Sequence, residues 1–235
     1  QSRGGIWLSP EPSHTLCHSE KAARVDFPPS PCLKPYYPEY QGFNLLGNPF
    51  ACCLDWDHII TNYTPASVNN AIYFTNNGSV AAYVGGVGVS GGTGTIPPLQ
   101  GFFVHATANS EVYLPIDARI HFLDQLRYKK GLDENTEKKD TISLVRIKLE
   151  NDIDSTDLVV RFNHKASPLF DKEFDAYKFS KTAGDISIWT TSGDIDYSIN
   201  GIPFPESKVE IPVGVKVTKS GTFKLSSNEI KRLDN

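Results

Sequence analysis

Val145-Arg146-Ile147-Lys148-Leu149-Glu150 decides the fold class, because apolar and charged residues alternate through it without a break. That period is what a strand shows when one face enters a core and the other meets water. The phase recurs at Val209, Ile211, Val213, Val215 and Val217. Pro212 falls within that run and costs a ladder hydrogen bond, which places the strand at a sheet edge or breaks it there. Leu158 to Phe162, Ile186 to Thr190 and Tyr197 to Ile199 read as further strands, with Ser192-Gly193-Asp194 turning the chain between the last two. The one helical candidate of this half is Ser227 to Arg232.

Toward the N-terminus the pattern changes style but not class. Gln41-Gly42-Phe43-Asn44-Leu45-Leu46-Gly47-Asn48-Pro49-Phe50, continuing to Leu54-Asp55-Trp56-Asp57, sets aromatic and aliphatic residues among Gly, Asn and Pro. It reads as a short strand entering a tightly built corner. Phe43 to Leu46, Ala71 to Thr75, Val80 to Val84, Gly101 to Ala106 and Glu111 to Leu114 are the expected strands, with Asn76-Asn77-Gly78 as a hairpin turn. Asp57 to Tyr63 is expected to form a short helix, N-capped by Asp55. Before residue 40 the prolines at 10, 12, 28, 29, 31, 35 and 38 predict extended, irregular chain.

Charge divides the molecule. The first 126 residues hold 5 basic and 9 acidic side chains, and the rest hold 18 of each. Between lies the dense run Arg127 to Asp140, a solvated linker or hairpin tip. The predicted architecture is all-β: two consecutive antiparallel β-sandwich units, jelly-roll or Ig-like, with little helix. Its parts are an irregular segment 1–40, a first sandwich 41–126, the charged stretch 127–140, and a second, truncated sandwich 141–235.

Composition narrows the functional classes. A net charge of -4 and the absence of a clustered basic face argue against nucleic acid. No apolar run approaches the ~20 residues that cross a bilayer, so membrane insertion is not expected. The start Gln1-Ser2-Arg3-Gly4-Gly5 lacks the apolar core of a signal peptide, so a signal has been removed or the chain is a piece of something longer. Cysteines stand at 17, 32, 52 and 53. Adjacent strand residues point to opposite faces, so one of Cys52 and Cys53 would pair with Cys17 or Cys32 while the other stays buried and free.

Several groups carry chemical interest, each with a plainer alternative. Asp55, Asp57 and His58 beside Trp56 offer an acid/base pair with a sugar-stacking indole, as a secreted hydrolase would use; the alternative is a structural corner. Asp152, Asp154 and Asp157 gather carboxylates as Ca2+ requires, without the Gly and terminal Glu of an EF-hand; the alternative is a solvated acidic turn. Asp171 with Asp175, and Asp194 with Asp196, suit turn capping. Gly86-Val87-Gly88-Val89-Ser90-Gly91 meets the dinucleotide pattern formally. It runs into Gly92-Thr93-Gly94-Thr95-Ile96-Pro97-Pro98, which cannot form the required helix, so a flexible surface loop is expected. Trp7, Tyr36, Tyr37 and Trp189, with Tyr40, Tyr63 and Tyr83, would line a glycan-binding face or else fill the core. The histidines have no metal-site spacing, and no serine sits in a G-x-S-x-G elbow.

The blocks Gly42 to Phe50, Leu54 to Asp57, Ala71-Ile72-Tyr73 and Gln100-Gly101-Phe102-Phe103-Val104 resemble a β-sandwich region near the C-termini of large secreted proteins of the Bacteroidota. So do Asp157 to Phe162, Phe170-Asp171, Asp175 to Lys178, Ser198-Ile199-Asn200 and Ile211 to Val215, in that order. The resemblance covers residues 41 to the end. It implies an extracellular, type IX secreted, multidomain surface protein in which this region is non-catalytic and structural or adhesive. Its partners would be other domains of the parent protein, other cell-surface proteins, or glycans. By the same resemblance the acids near Trp56 hold the corner and the indole fills the sandwich. The rival readings are a carbohydrate-binding module and a hydrolase using Asp55, Asp57 and His58. No cofactor is implied beyond Ca2+ at the acidic turn.

Overall fold

The structure, a computed structural model, describes residues 23–27, 42–76, 79–120, 142–179 and 184–232. Chain order in the first half is β1 (Ala23–Phe27), β2 (Phe43–Gly47), β3 (Cys53–Asp55), α1 (Trp56–Tyr63), β4 (Val68–Asn76), β5 (Ser79–Val84), β6 (Val87–Val89), β7 (Thr95–Ile96), β8 (Gly101–Ala106), β9 (Ser110–Leu114) and β10 (Arg119–Ile120). The second half holds β11 (Ser143–Glu150), β12 (Ser155–Phe162), β13 (Ala176–Tyr177), β14 (Ile186–Ser192), β15 (Ile195–Ile202), β16 (Val213–Val217) and β17 (Lys224–Lys231). The fold is all-β. The charged stretch 127–140, the turn residues Asn77 and Gly78, and Trp7, Cys17, Cys32, Tyr36 and Tyr37 lie outside the described residues.

Two compact units emerge, and the chain visits each twice: the first contains Gln1–Ile72 and Gly94–Lys130, the second Tyr73–Thr93 and Gly131–Asn235. In the first unit β2 pairs antiparallel with β8, from Phe43↔His105 to Gly47↔Gly101, so the two glycine-bounded blocks of the sequence become neighbours. β8 lies between β2 and β4. β3 sits between β10 and β7, and β1 pairs with β9. Leu54, Trp56, Ile59, Ile72, Ile96, Phe102 and Leu114 form the sealed interior. Burying side chains of this size is worth roughly 1.5–3 kcal/mol each before chain entropy is charged against it.

The second unit is built on a seven-stranded sheet in the order β16-β14-β15-β12-β11-β17, with β13 added to β15. Nearly every pairing is antiparallel, but β12 and β15 run parallel from Val159↔Ile199 to Phe162↔Ile202. One sheet face carries the buried cluster Leu149, Leu158, Val160, Ile186 and Ile188. The paired strands β5 and β6 belong to this unit as well.

Four sequence expectations need correction. Ser227 to Arg232 is not helical; it lies largely within β17, paired with β11 from Leu144↔Lys231 to Glu150↔Lys224, because an open sheet edge satisfies its backbone and overrides weak local propensity. Val213, Val215 and Val217 share the face of Ile186 and Ile188 but are exposed, since β16 is an edge strand with nothing beyond it among the described residues. The strand begins directly after Pro212, as the lost donor requires. Arg146, Lys148 and Glu150 do not project freely into water; all three are partly buried and ion-paired. Residues 86–93 are not a loose loop. They form β6 and a tight turn closed by Gly92 N–H donating to Val89 C=O (2.9 Å), and a Cβ at Gly88 would stand 1.8 Å from Gly92 O.

Candidate functional site

The corner in the first unit is organised by Asn48, which is 2% exposed. Its Nδ2 donates to the carbonyls of Cys52 (2.8 Å), Pro97 (2.9 Å) and Ile96 (3.1 Å), while Oδ1 accepts from Phe50 N–H (2.9 Å). Asn48 N–H donates to Gln100 C=O (3.0 Å). One amide thus joins both recurring blocks, which explains why Asn stands between Gly47 and Pro49. Cys52 and Cys53 beside it are both free thiols, and burial, followed by the neighbouring Cys52, raises the Cys53 pKa.

From this corner the chain enters α1. Asp55 is its N-cap, with an extended backbone and Oδ1 accepting from His58 N–H (3.2 Å). Trp56 is fully buried; its Nε1 donates to Asn70 C=O (2.7 Å) and its ring meets Phe102 edge-on at 5.7 Å. It is therefore sealed off from any sugar. Asp55 faces the helix start, whereas the His58 ring turns toward Asp117: Nε2 lies 3.4 Å from Asp117 Oδ2. The same carboxylate accepts a 2.5 Å hydrogen bond from Tyr63 Oη. That bond raises the Tyr63 pKa, and together with His58 it lowers that of Asp117. Tyr113 stands beside Tyr63, with ring centroids 5.6 Å apart, and is 39% exposed. Of the three residues proposed from sequence, Asp55 is thus the cap, His58 joins a surface cluster, and Asp57 stands in the first turn of α1. Asp117 and Tyr113, far along the chain, were missed, because only the packing of α1 beside β9 and the 3-10 turn at Ile116–Ala118 brings them near.

Compared with family models, curated proteins and solved structures, the chain matches none.

The second unit holds a denser polar centre. Arg146 on β11 pairs with Asp157 on β12 and donates through Nε to Glu229 on β17 (2.8 Å). Its NH1 also donates to Gly88 C=O (2.8 Å), and Ser90 N–H donates to Asp157 Oδ1 (2.5 Å). The β6 turn is thereby clasped onto the charged face of the sheet. Burial opposes the charge on Arg146, but Asp157 and Glu229 outweigh it and hold the guanidinium pKa above its ordinary value. Lys178 lies nearby, its pKa pulled down by burial to about 8 against the opposing field of Asp157.

This arrangement separates the proposed Ca2+ ligands. Asp157 is on a strand and committed to Arg146 and Ser90, whereas Asp152 and Asp154 stay in the turn at 151–154. There Asn151 Oδ1 accepts from Ile153 N–H (2.9 Å) and Asp154 N–H (2.6 Å), which closes the turn without a metal ligand. Among the described residues no three His, Cys, Asp or Glu side chains converge as a metal cage.

Asp175, 1% exposed, bridges two backbone segments: Oδ2 accepts from Asp171 N–H (2.6 Å) and Oδ1 from Gly201 N–H (2.5 Å). Burial pushes its pKa up to about 7 against those two bonds. Arg161, also buried, lies 4.9 Å from the Phe174 ring and donates to Gly85 C=O (3.2 Å). Asp196 accepts from Thr191 Oγ1 (2.7 Å). Trp189 is half-buried, lying so close across Gly214 that a Cβ there would come within 2.3 Å of the indole.

Proposed function

We propose that the chain is a non-catalytic structural or adhesive β-sandwich module of a larger secreted cell-surface protein. The observation that carries the reading is the use made of Asp55 and Trp56: one caps α1 and the other fills the core, so the acid and aromatic of the suggestive corner serve the fold. The sequence resemblance supplies the extracellular setting, and its expectation of structural acids agrees with this geometry.

The test begins with Asp55→Ala, expected to lower stability by about 1 kcal/mol through loss of the cap. Alongside it, Asp57→Asn and His58→Ala are assayed on polysaccharide and ester substrates. Hydrolysis by the parent chain that these two variants abolish without disturbing the fold would sink the reading. Fractionation of the producing cells with an antibody to the chain checks the location; recovery in the cytosol alone contradicts it.

A second reading, carbohydrate binding, is favoured by Tyr63, Tyr113, Asp117 and His58. Two adjoining aromatic rings and a carboxylate at the surface combine a stacking face with a hydroxyl acceptor. A glycan array distinguishes it: binding that Tyr113→Ala removes supports a lectin-like role, and a blank array counts against one.

A further inference from the structure

Within the second unit, β16 is the edge of the seven-stranded sheet among the described residues, and its backbone hydrogen bonds follow a definite phase. Thr191 N–H donates to Pro212 C=O (3.2 Å) and Thr218 N–H to Asp185 C=O (2.9 Å), at the two ends of the β14–β16 register. Antiparallel pairs alternate, so residues 212, 214, 216 and 218 turn their backbone groups toward β14. Val213, Val215 and Val217 therefore turn theirs outward. Their side chains lie on the face of Ile186 and Ile188, yet they are 40%, 48% and 42% exposed. The opposite edge is guarded differently. β17 carries Lys224, Glu229 and Lys231 and a register shift against β11, features that discourage strand addition, although Leu225 and Ile230 are exposed there.

We propose that β16 pairs antiparallel with β16 of a second copy of this chain, Val215 opposite Val215. This goes beyond the functional reading above and does not depend on it. In that register Val213 meets the partner's Val217 and each outward residue finds an outward residue, exchanging both hydrogen bonds of its pair. The apolar face continues across the join as valine on valine. On the other face the partner's Lys216 falls opposite Gly214 rather than opposite Lys216. Gly214 is the position that Trp189 covers, so the ammonium group arrives over an indole. Pro212 limits the ladder to the length of β16.

The test is sedimentation of the full chain across concentration, compared with three variants. Val215→Pro deletes an outward donor without touching the β14 ladder, and Val215→Lys sets like charges at the two-fold axis. Each is expected to weaken the dimer at least about tenfold while far-UV circular dichroism is unchanged, and Trp189→Ala to weaken it less. If Val215→Pro fails to fold, Val215→Lys carries the test. The register is read independently by oxidation: Val215→Cys forms an interchain disulfide across the axis, whereas Val213→Cys does not, being opposite Val217. A chain that stays monomeric to about 1 mM overturns the proposal. So does a dimer indifferent to Val215→Lys, or one that crosslinks equally well through both cysteines.

Discussion

Asn48→Ala isolates what holds the first unit's corner together. The substitution removes the partner of Phe50 N–H and the donor shared by the carbonyls of Cys52, Ile96 and Pro97. A buried backbone group left without a partner costs about 1–3 kcal/mol. Water can reach Cys52, which is half-exposed, and Pro97 C=O keeps Gln100 N–H, so Phe50 N–H and Ile96 C=O set the expected loss at about 2–6 kcal/mol. Asn48→Asp sharpens the test: it keeps the shape and the acceptor for Phe50, but turns a carboxylate oxygen toward three carbonyl oxygens. It should be at least as damaging as alanine. Hydrogen exchange in urea, followed on peptides spanning 42–60 and 94–106, reports this unit separately from the other. An aspartate variant as protected as the parent, or an alanine variant within about 0.5 kcal/mol of it, would refute the account of Asn48 as the corner's organiser.

In the second unit, Arg146→Met should cost about 3 kcal/mol, because it takes the cation from partly buried Asp157, leaves Glu229 with Lys231 alone and releases Gly88, and amides of 86–93 should exchange faster. Asp175 makes stability depend on pH with a definite sign. Its folded pKa is raised from 3.8 to about 7, so the folded state holds the extra proton between those values, and stability falls as pH rises through that window and levels off above it. Asp175→Asn should flatten that slope in urea titrations taken at a series of pH values; an unchanged slope rules the assignment out. Excess Ca2+, or its chelation, should leave the melting temperature unchanged, because Asp157 is engaged by Arg146; a clear upward shift would show that the acidic turn does take the ion.

Local patterns were legible in the sequence where a strand's own alternation decides them. β11 and β14, the cap at Asp55 and the break at Pro212 all follow from residue types within a few positions. What the sequence did not show is which faces find cover. The charges of β11 looked solvated because nothing in their spacing reveals that Gly88 and Ser90, far upstream, settle over them. The valines of β16 looked buried because alternation marks a common face but not whether another layer lies above it. The Tyr63–Asp117 pair spans 54 residues, beyond any short motif. Segment 227–232 carried no strong preference and took its conformation from β11.

Because β4 carries the chain out of the first unit and the segment up to Thr93 returns it, neither unit is a single stretch of polypeptide. A gene fragment beginning at residue 141 would encode the large sheet but omit Gly85, Gly88 and Ser90. It would leave Arg146, Asp157 and Arg161 without the covering they have here. Recombination or limited proteolysis at one point therefore cannot release either half intact, and the pair must be inherited, exchanged and expressed together.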